Sequence, residues 1–368
     1  MPPKVYPAPL IIPPLNGSHT HTIISLHGRG SNAERYGYEL LESANLQARL
    51  LTVKFIFPTA RKRRSTILKR IPINQWFDNY SLEDPGEKTE LQIEGLCETA
   101  EFIRGLIAQE AQILGEGGYR MIILWGLSQG CAAGVFTLLG GWNDSSVEKA
   151  LGAFIGMSGW LPFEQQLRDI LRCHDNPASI QDEQHDTQSD DSDTEDEESS
   201  EQEADSEENL EASGDAYSDT ESNDDLFQRN SSSHDDFDPF EGDEEEVAPP
   251  IIQAVNHIRD ILDLPIISAE EELSQDGSSI KGLHHLQIPI FLGHGSEDPK
   301  VSIKLGEKMT HVLSTGMGID ATWKAYEGLG HWYRVEDEIQ DILKFLQSRV
   351  GLPVEPESSV DKGQDEKQ

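Results

Sequence analysis

M-I-I-L-W-G-L-S-Q-G-C-A-A-G, residues 121–134, is the stretch from which the rest of the chain can be read. Ile122, Ile123, Leu124 and Trp125 form a short apolar run rich in β-formers, as a fully buried strand requires. The small residues from Gly130 onward suit the start of a buried helix. Between the two lies G-L-S-Q-G, a G-x-S-x-G frame centred on Ser128. A strand that turns at once into a helix strains the backbone of the central residue, and Gly126 and Gly130 remove the side chains that would collide in the turn. The Ser128 hydroxyl is then exposed at the strand's C-terminal edge, and the amide of Gln129, at the helix start, can face a developing oxyanion. The competing reading is a glycine-rich turn in which Ser128 only caps the helix.

Upstream, T-H-T-I-I-S-L at 20–26 predicts the first strong strand, which empties into H-G-R-G-S-N at 27–32. Glycines on both sides of Arg29 let the backbone approach a ligand, although a plain strand-to-helix turn explains the same residues. Residues 1–18 read as a Pro-rich extended arm along an edge of the fold, 33–47 as helical, and V-K-F-I-F at 53–57, stopped by Pro58, as a strand. A-R-K-R-R at 60–64 reads as an exposed basic loop. In N-Q-W-F-D-N at 74–79, Trp76 and Phe77 either line an apolar cleft or lie in the core under a loop. Ile93, Leu96, Ala100, Ile103 and Ile107 recur at helical spacing and predict a long helix over 91–113.

Downstream, L-G-A-F-I-G-M at 151–157 predicts a strand that brings S-G-W-L-P, 158–162, to the same edge as Ser128. Residues 251–267 mix helical and extended patterns. I-P-I-F-L at 288–292 is a strand leading into G-H-G-S-E-D at 293–298, and 321–326 is a short strand before E-G-L-G-H at 327–331. Val335, Ile339, Ile342 and Leu346 mark a last amphipathic helix. This alternation predicts an α/β fold with a doubly wound, mostly parallel sheet and helices on both faces. Ligands in such sheets bind beyond the C-terminal ends of strands, where His27, Ser128, Ser158, Asp298 and His331 are all placed.

Composition favours one domain with a break in it. Residues 182–246 carry 29 Asp or Glu and one basic side chain, Arg229, and so supply −28 of the chain's net charge of −38. Such a segment lacks the apolar surface needed to offset the entropy of ordering, and is expected to be disordered. The predicted organisation is an N-terminal arm (1–18), a first core part (19–173), an acidic insertion (174–248), a second core part (249–350) and a frayed tail (351–368). The insertion is a solubilising surface, a binding site for a basic partner, or a phosphorylation target, with Ser189, Ser192, Thr194 and Ser199 set among carboxylates. Acidity argues against nucleic acid as a partner. Cys97, Cys131 and Cys173 make an odd number without a C-x-x-C pair, which suggests neither a disulfide scaffold nor a thiolate metal site. Neither a signal-peptide pattern nor an apolar run of spanning length is present. The expectation is a cytoplasmic protein, with nuclear residence open and any membrane contact peripheral.

A serine hydroxyl is a poor nucleophile unless a base takes its proton, and the base needs a carboxylate to hold its tautomer. His27, His294 and His331 compete for that role. His331 is the candidate, since it comes last, after a glycine pair and before a helix, and the order Ser128, Asp298, His331 is that of an α/β-hydrolase triad. His27 and His294 each precede a glycine in a strand-end turn and are expected to bond loop backbone. Asp298 also has a plainer reading as a helix cap before Pro299.

With these residues in place the chain resembles the acyl-protein thioesterase, lysophospholipase and carboxylesterase family of small serine hydrolases. The matching blocks are L-H-G-R-G (26–30), Q-W-F-D (75–78), G-L-S-Q-G (126–130), S-G-W-L-P (158–162), H-G-S-E-D (294–298) and G-H (330–331). The resemblance implies the α/β-hydrolase fold, Ser128 as nucleophile, Asp298 as orienting acid, His331 as base, and the amides of Arg29 and Gln129 as oxyanion donors. It also implies an acylated small-molecule, lipid or protein substrate and no metal or other cofactor. Trp76, Trp160, Leu161 and the Arg29 side chain are the expected substrate-binding groups. The chain departs from the family in Ser31, where an Asp is usual, and in Arg29, where an apolar residue helps receive the acyl chain. An arginine kept at the rim would narrow the apolar groove and favour short or medium acyl groups, or draw in anionic substrates. The alternatives are a lysophospholipase-type lipid esterase and a non-catalytic binding protein on a hydrolase scaffold.

Overall fold

Strands form where the β-branched and aromatic runs lie, and helices fill the intervals between them. The computed structural model describes residues 5–143, 149–172, 248–267 and 283–356. The acidic stretch 182–246, its four hydroxyl residues and Cys173 lie outside the described residues.

In chain order the strands are β1 (Leu10–Ile12), β2 (His21–Leu26), β3 (Val53–Phe57), β4 (Lys62–Ser65), β5 (Ile71–Asn74), β6 (Ile122–Leu127), β7 (Ala153–Met157), β8 (Ile290–Gly295) and β9 (Ala321–Tyr326). The α-helices are α1 (Ala33–Ser43), α2 (Leu46–Arg49), α3 (Glu90–Leu114), α4 (Gln129–Gly140), α5 (Glu164–Leu171), α6 (Pro250–Ile261), α7 (Ile303–His311) and α8 (Gln340–Phe345). Wider π-type turns, Val335–Ile339 and Leu346–Val350, extend α8 at both ends. Seven strands form one sheet in the order β1-β3-β2-β6-β7-β8-β9, parallel except for β1, which runs antiparallel to β3. Leu10–Ile12 of the Pro-rich arm thus form an edge strand of the sheet.

Side chains alternate between two cores. Ile24, Leu124, Phe154 and Leu292 face one side, which α3, α4 and α6 cover. Their neighbours Ile23, Trp125, Ile155 and Phe291 face the other, under α1 and α8. Burial on both faces explains why these strands read as continuous apolar runs. The chain moves outward from β2 to β3, then returns to place β6 on the other flank of β2. This reversal opens a crevice at the C-terminal ends of β2 and β6, the place where open parallel sheets bind ligands.

One expectation about these elements needs correction. The basic stretch is not a simple exposed loop but a two-stranded hairpin, β4 with β5, and Glu98 on α3 receives both Arg61 and Arg63, at 2.8 and 2.5 Å. Tertiary pairing thus overrides the weak strand propensity of K-R-R-S. The mixed pattern at 251–267 resolves as helix α6 followed by a turn. Arg259 docks this helix by donating to the carbonyls of Gly140 and Trp142 at 2.7 and 3.0 Å. The buried helix after the elbow starts at Gln129, where the sequence placed its first amide.

Candidate active site

Four loops meet at the crevice. The first follows β6. Ser128 has φ 57° and ψ −121°, in a region that a residue with a Cβ adopts only when its surroundings impose it. The abrupt strand-to-helix turn imposes it, and the flanking glycines permit that turn. A Cβ on Gly126 would lie 2.4 Å from the Gly130 carbonyl oxygen, and one on Gly130 would lie 2.3 Å from that of Leu26. Only glycine lets strand, turn and helix close this tightly against β2.

The second loop follows β2. Gly28 lies against the elbow, so that a Cβ there would be 3.4 Å from Ser128 Cβ and 3.9 Å from its Oγ. The Gly30 amide donates to Asn74 O at 2.7 Å and the Asn74 side chain donates to Ser31 O at 2.8 Å, so β5 clamps the G-R-G backbone beside Ser128. His27 is buried and accepts from the Ala60 amide at Nε2, which leaves the Nδ1 hydrogen to donate to Gly28 O at 2.7 Å. Burial pushes this imidazole down to about 4, so it is a neutral bracing group, as the sequence suggested.

The third loop follows β8 and meets the loop after β9. His331 Nδ1 lies 2.7 Å from Asp298 Oδ2, and its Nε2 lies 2.9 Å from Ser128 Oγ. A carboxylate oxygen only accepts, so Nδ1 carries the hydrogen and Nε2 is free to accept from the serine. The Asp298 side chain has no exposed surface. Burial alone would raise its pKa, but hydrogen bonds from His294, His331 and the amides of Val301 and Lys300 outweigh it and hold the carboxyl below the usual carboxylate range. Asp298 Oδ1 accepts from those two amides and so closes the turn after β8, but the N-cap of α7 is Ser302, so Asp298 does not cap that helix, while its Oδ2 faces His331. His294 bonds loop backbone through Val301 O at 2.9 Å, and the same Nε2 lies 3.3 Å from Asp298 Oδ2.

A cavity of about 330 Å³ opens beside Ser128 and His331. Arg29 and Trp160 line it, together with Arg35, Lys300 and Trp332. Trp76 and Leu161, expected to bind substrate, do not line it. Trp76 is wholly buried, with its ring N–H donating to His27 O at 2.7 Å, and Leu161 is 3% exposed within the core. Their loops reach the site, but their side chains turn inward and support its floor. Gln129 has a further part that the sequence did not suggest. Its side chain accepts from the Trp76 amide and donates to Phe77 O and Asn79 Oδ1, which pins the Q-W-F-D segment beneath the elbow. Trp332 had a signal in its place next to His331, whereas Arg35 and Lys300 arrive from separate elements and had none.

A model of the phospholipase/carboxylesterase family matches residues 9–179 and 269–350. Acyl-protein thioesterase 1 of Yarrowia lipolytica is 32% identical over 167 residues, 45% of this chain and 67% of that protein. Acyl-protein thioesterase 1 of Candida albicans is 28% identical over 168 residues, with the same two coverages of 45% and 67%. The crystal structure of Zea mays acyl-protein thioesterase 2 superposes with a TM-score of 0.54 at 18% identity, covering 94% of this chain and 100% of that one, a likeness of fold. The family match, the mostly parallel seven-stranded sheet and the four loops meeting at its edge agree, and the chain belongs to the phospholipase/carboxylesterase family of α/β-hydrolases, which act on ester or thioester bonds.

Proposed function

We propose that the chain is a serine hydrolase that cleaves carboxylic ester or thioester bonds through an acyl-enzyme on Ser128. The observation that carries this reading is the unbroken chain of hydrogen bonds from Ser128 Oγ through His331 to Asp298. His331 Nε2 takes the serine proton as Oγ attacks the substrate carbonyl carbon. Negative charge then develops on the carbonyl oxygen, facing the amides of Arg29 and Gln129, while Asp298 stabilises the imidazolium. Collapse breaks the bond to the leaving alcohol or thiol, which receives the proton from His331. Water then repeats the sequence, giving its proton to His331 and its oxygen to the acyl carbon, and Ser128 leaves with its proton restored.

The relatives named as acyl-protein thioesterases support an acylated protein as substrate, and a lipid or small ester fits the same chemistry. A cavity of about 330 Å³ is at the low end for ligand pockets, roughly 300 to 1,000 Å³, which favours short or medium acyl groups. Fluorophosphonate labelling tests the reading. Wild-type protein is expected to take up one probe per chain, and Ser128→Ala none. A folded wild type that resists the probe would leave the binding-scaffold alternative standing.

A further inference from the structure

Positive charge gathers at the mouth of this site in a chain whose net charge is −38. Arg29, Arg35 and Lys300 line the cavity beside Ser128, and no Asp or Glu lines it with them. Glu34 and Glu297 are close in sequence but do not line it. Among the described residues, none of the three cationic groups forms an ion pair. Arg29 is half-buried, and the polar contact of its guanidinium is a long one, 3.5 Å to the Ser65 hydroxyl. Asp78 lies near enough to be felt electrostatically, but its carboxylate is already engaged by the Thr66 amide and hydroxyl, the Gln75 side chain and the Asn79 amide. Asp298 is equally committed, to two imidazoles.

A half-buried guanidinium without a carboxylate keeps an electrostatic demand that a ligand can meet, by bidentate hydrogen bonding in a partly desolvated cleft. Arg35 and Lys300, both exposed, extend the same field to the rim. We propose that this mouth selects substrates carrying an anionic group, a carboxylate or a phosphate, within a few bonds of the scissile carbonyl, with Arg29, Arg35 and Lys300 as its specificity-determining side chains. The inference rests on the hydrolase reading above and names the substrate class of that site.

The test compares kcat/KM for matched anionic and neutral esters. One arm places the anion on the acyl half, p-nitrophenyl hydrogen glutarate against a p-nitrophenyl alkanoate of the same length. The other places it on the leaving half, 3-butanoyloxy-4-nitrobenzoic acid against o-nitrophenyl butyrate. In at least one arm wild type should favour the anionic member by about tenfold at low ionic strength, less as salt rises. Replacing all three residues, as Arg29→Gln with Arg35→Gln and Lys300→Gln, should bring the ratio to about one, chiefly through KM. Should the triple variant fold poorly, Arg35→Gln with Lys300→Gln, two exposed positions, is expected to lower the same ratio. Equal rates on both members of each pair, or a preference that survives the substitutions, overturn the proposal. So does an effect seen only with anionic lipid vesicles present, which would assign the cations to a membrane surface. A phosphonate-labelled enzyme without charge preference defeats this inference alone, whereas an enzyme that neither labels nor turns over any ester defeats the hydrolase reading and this one with it.

Discussion

His294 Nε2 lies 3.3 Å from Oδ2 of Asp298, the oxygen that also receives His331. The Nδ1 atom of His294 is buried without a partner, and Nε2 faces a carbonyl oxygen, so the hydrogen sits on Nε2 and is shared between Val301 O and the carboxylate. Gly306 on α7 leaves room for this ring, since a Cβ there would lie 2.6 Å from His294 Nδ1. A residue expected only to brace a loop thus also fixes the carboxylate that orients His331.

From this contact, His294→Ala should lower kcat with little change in KM. A hydrogen bond to a charged group contributes about 1.5–3 kcal/mol, and a loss at the lower end of that range is worth roughly a tenfold drop in rate. Steady-state kinetics on a small ester, with circular dichroism to verify folding, measures it. An unchanged kcat in a folded variant would show that Asp298 is held well enough by Lys300 and Val301 alone.

The elbow glycines carry a separate expectation. Gly130→Ala places a methyl group 2.3 Å from the Leu26 carbonyl oxygen, where backbone must move, whereas nothing lies within 4 Å of a Cβ on Gly330. Overpacking of this kind costs about 1–3 kcal/mol. Thermal unfolding should show a clear fall in Tm for Gly130→Ala and little for Gly330→Ala. Equal falls would mean that the closure of α4 onto β2 is looser than these contacts imply.

The acidic stretch can be tested by removal. The family match leaves out residues 180–268, yet α6 lies in that gap and packs on the core through Val255 and Ile258. Excision of residues 182–246 with a short flexible linker should therefore preserve hydrolysis of a small ester, whereas a cut extended through α6 should abolish folding. Loss of turnover on the shorter excision would tie the acidic stretch to the active fold.

Much of this architecture was legible because it rests on local chemistry. Val53–Phe57 and Ala321–Tyr326 occupy the residues their apolar runs indicated, and the Ser128, Asp298, His331 order placed three groups on one sheet edge. The hairpin of β4 and β5 was not legible, because its reasons, Glu98 and the clamp on Ser31, come from distant segments. The identity of Trp76 and Leu161 could not say which way each turns from a loop that does reach the site. The mouth was the least legible part, since Arg35 and Lys300 are ordinary surface residues until the fold sets them beside Arg29.

A last expectation concerns Glu338, a fully buried carboxyl on the segment leading into α8. Neither of its oxygens has a well-formed hydrogen bond, and Gly293 on β8 admits it, since a Cβ there would lie 2.3 Å from Oε1. Tyr36 from α1 and Tyr326 from β9 face it, and Arg334 and Asp337 flank it on its own segment. Burial pushes the carboxyl up to about 8, eased in part by the Arg334 amide and reinforced by the Asp337 charge. Its folded pKa is raised, so between the ordinary value of 4.5 and about 8 the folded chain holds a proton that the unfolded chain has released. The sign follows from linkage: the contribution is greatest below the lower value, shrinks as pH rises through the window, and is gone once the folded pKa is passed. A tenfold difference in proton affinity between the folded and unfolded chains corresponds to about 1.4 kcal/mol. Glu338→Gln keeps the shape and cannot titrate, so the variant should gain stability on wild type as pH climbs from about 5 to about 8. Urea midpoints measured across that range decide it. Parallel curves for the two proteins would mean that water or local opening solvates the carboxyl and that its burial is not felt.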